Sequence, residues 1–158
     1  MVINPTYRLA RLEEAPMIAE MSREHIEYGL RWSWTSARVR KAISDKFTNV
    51  VIAHDHDDDI FGFGIMRYAI DGAHLQLLCV HELHRRRGIG TNLVHWLEKC
   101  AETGGCHWLQ VEARADNSIA HSFYKKLDYK LIAKISGYYS GKQDAVRLMK
   151  KIYINSTV

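Results

Sequence analysis

Apolar and polar positions follow two different periods along this chain, and the points where the period changes mark its elements. Tyr7 to Ala10 reads as a short strand. From Leu12 the spacing becomes helical. Glu13 and Glu14 suit the positive N-terminal end, Pro16 is tolerated in the first turn, and Ile18, Met21 and Ile26 give a partly apolar face as far as Tyr28. A second helix is expected from Ser36, as its N-cap, to Phe47. Strand-like segments follow at Asn49 to Ala53, Ile60 to Ala69 and His74 to Val80, separated by the polar turn His54 to Asp59 and the hairpin pair Asp71-Gly72. Ile89, Leu93, Trp96, Leu97 and Cys100 then fall on one face of a helix that starts at Gly88 and stops before Gly104-Gly105. Trp108 to Ala113 returns to strand spacing, and Ile119, Ala120, Phe123, Tyr124 and Leu127 make another amphipathic helix. Strands at Tyr129 to Ile135 and Ala145 to Ile154 finish the chain.

The order β-α-α-β-β-β-α-β-α-β-β predicts an α/β fold: a central mixed, mostly antiparallel β-sheet flanked by about four helices. With 158 residues, 47% of them hydrophobic, one domain over 1–158 is expected, with no repeat or linker dividing it. The start Met1 to Pro5 lacks the basic and apolar regions of a signal peptide, and the longest uncharged apolar run, Ile60 to Met66, is too short to span a bilayer. Three cysteines, Cys79, Cys100 and Cys106, form no CxxC pair. A cytoplasmic protein with reduced thiols and no membrane partner is the expectation.

Charge changes the picture at one place. The net +4 is mild, but Arg85-Arg86-Arg87 precedes Gly88-Ile89-Gly90-Thr91 between a strand and a helix. Glycines there let backbone N–H groups approach a phosphate, and the helix end and arginines favour a pyrophosphate. Neither a Walker loop nor the dinucleotide fingerprint is present. A nucleic-acid partner would call for a basic recognition helix or stacking aromatics beside the arginines, and neither is seen. The run His54 to Asp59 lacks the glycine-punctuated spacing of a calcium loop, and Cys100, Cys106 and His107 lack a fourth zinc ligand, so no metal is expected.

Leu78-Cys79-Val80, followed at the right distance by Arg85-x-x-Gly88-x-Gly90 and later by Asn117 and Tyr124, resembles the acetyl-CoA-binding core of the GNAT acetyltransferase superfamily over Leu75 to Tyr129. Asp128 stands where that family usually has Gly, a position that Asp tolerates better than most residues. The resemblance implies acetyl-CoA as cosubstrate. The backbone of Leu78, Cys79 and Val80 would pair with the pantetheine arm and hold the acetyl carbonyl. Arg85, Arg86, Arg87, Gly88, Ile89, Gly90 and Thr91 would cradle the pyrophosphate, and Asn117 would contact the pantetheine.

Transfer from a thioester to an amine needs a neutral nucleophile, a polarised carbonyl and a proton for the departing thiolate. The resemblance makes Tyr124 the acid beside the sulfur. Glu112, near the end of a strand, is the candidate base, with His74 and His81 as rivals. Glu112-Ala113-Arg114-Ala115-Asp116-Asn117 is similar to the Glu-x-Arg-x-x-Asn segment of the bacterial ribosomal-protein-alanine acetyltransferases, in which the Glu serves as base. Tyr138-Tyr139 before Asp144-Ala145 resembles the same branch and implies contacts to a peptide N-terminus. Trp32 and Trp34, alternating across Ser33, are candidate substrate contacts, one packing inward and one lining a groove. The expected reaction is direct acetylation of a primary amine in a ternary complex, leading with a protein or peptide α-amine, by a monomer or homodimer. A polyamine or aminoglycoside acceptor, or a CoA-binding regulatory module without turnover, are the alternatives.

Overall fold

The structure is a computed structural model that describes residues 4–152. Its elements run β1 (Thr6–Leu9), α1 (Ala15–His25), α2 (Ser36–Ser44), β2 (Thr48–His54), β3 (Ile60–Tyr68), β4 (Gly72–Val80), α3 (Ile89–Thr103), β5 (Trp108–Arg114), α4 (Ser118–Lys126), β6 (Lys130–Tyr139) and β7 (Gln143–Lys151). This is the element order expected from the sequence. Two short 3-10 turns, Leu12–Glu14 and Glu82–His84, complete the described elements.

All seven strands join one sheet in the order β1-β2-β3-β4-β5-β7-β6, antiparallel except for the β4–β5 pair. Both faces of its centre are covered. Ile18, Ala19 and Met21 of α1 and Val39 of α2 pack with Val50, Ile52, Phe63, Ile65, Leu77 and Cys79. Leu93, Val94 and Leu97 of α3 pack on the other face with Val51, Leu75, Leu109 and Val111. β2 is therefore apolar on consecutive residues, as a strand buried on both sides must be.

The β3–β4 ladder jumps from Ile65↔Leu77 to Met66↔Leu75, which leaves Gln76 as a bulged residue. One extra residue reverses the alternation. Ala73 and Leu75 face α3, whereas Leu77 and Cys79 face α1 and α2. The bulge lies where β4 leaves β5: their parallel pairing runs only from Gly72↔Trp108 to Leu75↔Val111. Beyond it the two strands diverge and open a cleft.

Several boundaries differ from expectation. α1 ends at His25, well short of Tyr28, because the chain turns on Glu27, whose buried carboxylate accepts from Ser22 Oγ (3.0 Å), Ser33 N (2.8 Å) and Trp34 N (3.3 Å). Thr35, not Ser36, caps α2 by accepting from Arg38 N. That helix stops at Ser44 because the Asp45 side chain takes up Phe47 N (3.1 Å) and Thr48 Oγ1 (2.8 Å). β6 extends past Ile135 to Tyr139 across one register shift in its pairing with β7, between Ile135 and Tyr139. The expected last-strand residues Tyr153 and Ile154 lie outside the described residues. At the β3–β4 turn, a Cβ on Gly72 would meet the Trp108 ring at 2.2 Å, so glycine is needed there for close approach. Among the described residues no helix is long and apolar enough to cross a membrane.

Candidate active site

One wall of the cleft is the free edge of β4. Val80, Cys79 and Leu78 pair with Gly62, Phe63 and Gly64 of β3 and with no strand on the side facing β5. Strand alternation divides their backbone groups: Cys79 bonds to Phe63, in step with the His81 N to Phe61 O bond (2.8 Å), whereas the N–H groups of Leu78 and Val80 and the Leu78 carbonyl face outward, available to an extended ligand arm. Cys79 departs from the expected contact: its backbone is turned to β3 and its side chain is buried under α1 and α2, where burial, weakly opposed by Arg85, pushes the thiol up to about 12.

The loop after β4 is built for an anion. Arg85 folds back, donating from Nε to the Val80 carbonyl at 3.0 Å, which pins the loop to the strand end. Arg86 (φ 65°) and Gly88 (φ 76°) are both left-handed, and α3 begins without a side-chain cap. The first helical bond is made by Asn92 N to Gly88 O at 3.0 Å. The preceding amides of Ile89, Gly90 and Thr91 therefore point outward beside three exposed arginines. A pyrophosphate fits this donor set by charge and by hydrogen-bond demand. Gly90 also lets α4 come close, since a Cβ there would meet Phe123 at 3.3 Å.

α4 supplies the opposite wall. Asn117 is its N-cap, accepting from Ala120 N at 3.1 Å, so its Oδ1 is committed to the helix and its amide nitrogen is the group left for a ligand. Tyr124 is 6% exposed, set edge-on to Phe123 and Tyr129. Burial, reinforced by Tyr139, raises its phenol well above the ordinary value, so it stays protonated and able to donate.

The cleft floor holds the titratable groups. Glu112 of β5 accepts from Arg147 Nε (2.9 Å) and Gln110 Nε2 (3.1 Å) on one oxygen and is in close contact with His74 Nε2 on the other. Burial pushes its carboxyl up, but the hydrogen bonds and charges of His74 and Arg147 outweigh this and hold it below the ordinary carboxylate range. His74 and Glu112, read from the sequence as rival bases, are one hydrogen-bonded pair. His81 stands apart from them: its Nδ1 accepts from Leu83 N at 3.2 Å and caps the 3-10 turn.

Arg114 is not paired with Glu112. It reaches across to the segment after α1, donating to the carbonyls of Ile26 (2.7 Å) and Tyr28 (2.8 Å), with its guanidinium 4.3 Å from the Tyr28 ring centre and 6.0 Å from that of Tyr139. The rim of the cleft on this side thus comprises Tyr28, Tyr138 and Tyr139. Tyr138 and Tyr139 pack edge to face, and burial raises both phenols. Trp32 is 36% exposed with Arg23 over its ring. Trp34 is the ring of the pair that packs inward, and so is no substrate contact: it is 7% exposed, inside the α1–α2 core, with Arg38 stacked 3.8 Å from its ring centre. Arg147 and Glu27 were not singled out from the sequence. Arg147 meets Glu112 only through the β5–β7 register, where the two are direct partners, and Glu27 is a lone acid in a polar stretch.

A splayed parallel pair, a cationic helix start and a buried phenol on the far wall suit an acyl-CoA-dependent transferase. The comparisons agree. A family model described as an acetyltransferase (GNAT) domain matches residues 46–131, more than half of the chain, and the chain belongs to that family. The ribosomal protein bS18-alanine N-acetyltransferase of Salmonella typhimurium is 32% identical over 93 residues, which cover 57% of this chain and 63% of that protein. N-alpha-acetyltransferase 20 of Dictyostelium discoideum is 30% identical over 80 residues, covering 50% and 46%. These matches span less than two thirds of those relatives. Among solved structures, Arabidopsis thaliana NAA60 with a bisubstrate analogue superposes with TM-score 0.83 at 16% identity, covering 95% of this chain and all of that one. The Escherichia coli ribosomal-protein-S18-alanine N-acetyltransferase gives 0.79 at 20% identity, covering 98% and 99%. The protein is an acetyl-CoA-dependent N-acetyltransferase.

Proposed function

We propose that the acceptor is the N-terminal α-amine of a protein or peptide. The observation that carries this reading is the charge state of the acceptor side. Glu112, the carboxylate at the cleft floor, is already compensated by Arg147 and His74, and Glu27 and Asp144 nearby accept hydrogen bonds from the chain itself. A polyamine or aminoglycoside brings several positive charges and calls for uncompensated carboxylates. A peptide N-terminus brings one amine and an uncharged backbone, which the Tyr28, Tyr138 and Tyr139 hydroxyls and rings suit. The relatives named for N-terminal and ribosomal-protein alanine acetylation support the same reading.

In this reading the acceptor ammonium gives a proton to the Glu112–His74 pair. Its nitrogen then attacks the acetyl carbonyl carbon, which is polarised by the free β4 edge. The tyrosine hydroxyl of Tyr124 donates to the departing sulfur as charge develops there. An α-amine eases the first step: its reference pKa lies about 2.5 units below that of lysine, roughly 3.4 kcal/mol less deprotonation cost at neutral pH. The test is an acetyl-CoA activity screen of peptides with varied N-terminal residues against spermidine-like polyamines and aminoglycosides. Peptides with a free N-terminus are expected to give the higher kcat/KM, and N-terminally blocked peptides none. Faster turnover of the polycations would overturn the reading.

A further inference from the structure

Resting on the amine-acetylation reading above, we propose that His74 is the residue that takes the acceptor's proton, and that Glu112 is a positioning residue holding the imidazole through Nε2. Exposure divides the pair: the Glu112 side chain is 4% exposed and that of His74 is 32% exposed. Both carboxylate oxygens are in use, Oε1 by Arg147 and Gln110 and Oε2 by His74. Three of the carboxylate's roughly four acceptor positions are therefore filled, and at 4% exposure the remaining one, on Oε2 beside the His74 ring, has little access to an amine or water. His74 is the more accessible of the two. With Nε2 turned to an ionised carboxylate, the ring proton belongs on Nε2, and the lone pair belongs on Nδ1, which no described residue engages.

The position fits the task. His74 pairs with Gln110, one residue before the Leu75↔Val111 pair that closes the ladder, so it stands at the floor of the opening. The parity reversal at Gln76 is what turns His74 away from the α3 core and leaves Leu75 in it. The groups facing the pair come from every strand around it: Glu112 from β5, Arg147 from β7, Tyr138 from β6, and Arg67, the register partner of His74, from β3. Glu112 gives the ring a fixed orientation and a negative charge in contact when the imidazolium forms, and Arg147 keeps that carboxylate ionised.

The proton balance is as follows. The ammonium loses one N–H proton to His74 Nδ1, which returns it to solvent. The C–N bond forms at the acetyl carbon and the C–S bond breaks. The second N–H proton leaves the nitrogen through His74 to solvent, Tyr124 delivers its proton to sulfur, and the resulting phenolate takes one back, giving amide, thiol and one net released proton.

The experiment compares His74→Gln, His74→Ala and Glu112→Gln in single-turnover pH profiles, with folding checked by acetyl-CoA-induced thermal shift. Gln at 74 keeps an N–H donor toward Glu112 and cannot take a proton. His74→Gln is expected to lose about 10²–10³-fold in kcat/KM at neutral pH. The loss should shrink as pH rises through the acceptor's own pKa, with acetyl-CoA affinity intact. Added imidazole should restore part of the rate to His74→Ala. Glu112→Gln should lose less, with its acid limb displaced but present. In wild type, NMR of the His74 ring nitrogens should report the Nε2–H tautomer. A His74→Gln enzyme with the wild-type acid limb, alongside a Glu112→Gln enzyme without one, would overturn the proposal and make Glu112 the base. If wild type acetylates small amines and not peptides, the acceptor reading fails, and the same variants test the pair on the small amine.

Discussion

In the proposed mechanism Tyr124 serves both the core and the chemistry. Its ring packs between Phe123 and Tyr129, while its hydroxyl is bonded to no described residue. Replacing it with Phe should therefore leave stability nearly unchanged. Because the role proposed for the hydroxyl arises only as charge develops on sulfur, kcat should fall about 10²-fold with the acetyl-CoA dissociation constant unaltered, read by single-turnover kinetics and calorimetry. Full activity in Tyr124→Phe would reduce the residue to packing. Asp128, the departure from the family's usual Gly, sits at φ 72° just after α4, exposed to solvent. Relieving that left-handed strain in Asp128→Gly is expected to stabilise the fold by about 0.5–1 kcal/mol in urea denaturation, with no change in turnover.

At the scale of elements, two segments divide the labour. The start of α3 and its arginines form the cationic wall. Acetyl-CoA at 100 times its dissociation constant should stabilise the protein by about 2.7 kcal/mol through binding linkage. Arg86→Glu with Arg87→Glu should remove most of that thermal shift, and an undiminished shift would place the pyrophosphate elsewhere. The segment between α1 and α2 is the acceptor wall of the proposed reading, and two ties hold it: Glu27 from inside and Arg114 from β5. Arg114→Ala removes two charge-assisted hydrogen bonds and a stacked cation, each bond worth about 1.5–3 kcal/mol where it forms. The expected outcome is a raised acceptor KM with acetyl-CoA affinity unchanged. A parallel loss of both affinities would mean that Arg114 supports the whole cleft.

The whole molecule is two antiparallel half-sheets joined along a short parallel seam. Beyond the four register positions of β4 with β5, the Glu112 cluster ties β4, β5 and β7 across the seam. The same contacts that tune the site also brace the fold. Glu112 lies below its ordinary value through the balance described above, and Glu14 does so chiefly through its hydrogen bond to Arg8. A carboxyl depressed in the folded state adds stability that is complete above its unfolded pKa, about 4.3, and is lost as pH falls through the folded value. Stability should therefore decline in acid from about pH 4.3 downward. Glu112→Gln, measured by denaturation between neutral pH and pH 3, should show a shallower decline. An unchanged acid dependence would mean that Glu112 contributes nothing to it.

The sequence by itself determined the order of elements, because helix and strand periods, the Asp71-Gly72 turn and the Gly104-Gly105 stop are written in neighbouring residues. It also marked out the proposed phosphate cradle, since Arg85 to Thr91 is one contiguous loop and helix start whose amides need no distant partner. Tyr124 and Glu112 were legible as candidates through motifs of the same local kind. Only the tertiary structure decided how those candidates are connected. The extra residue at Gln76 exists only relative to β3, and it sets both where the cleft opens and which way His74 points. Arg147 meets Glu112 through strand register, more than thirty residues away in sequence. Trp32 and Trp34 share a spacing, and burial under α1 and α2 alone separates the exposed ring from the core one. Local periodicity encodes which faces are apolar; pairing register and the packing of one layer on another decide which polar groups meet, and at this site that pairing governs how the charges are shared.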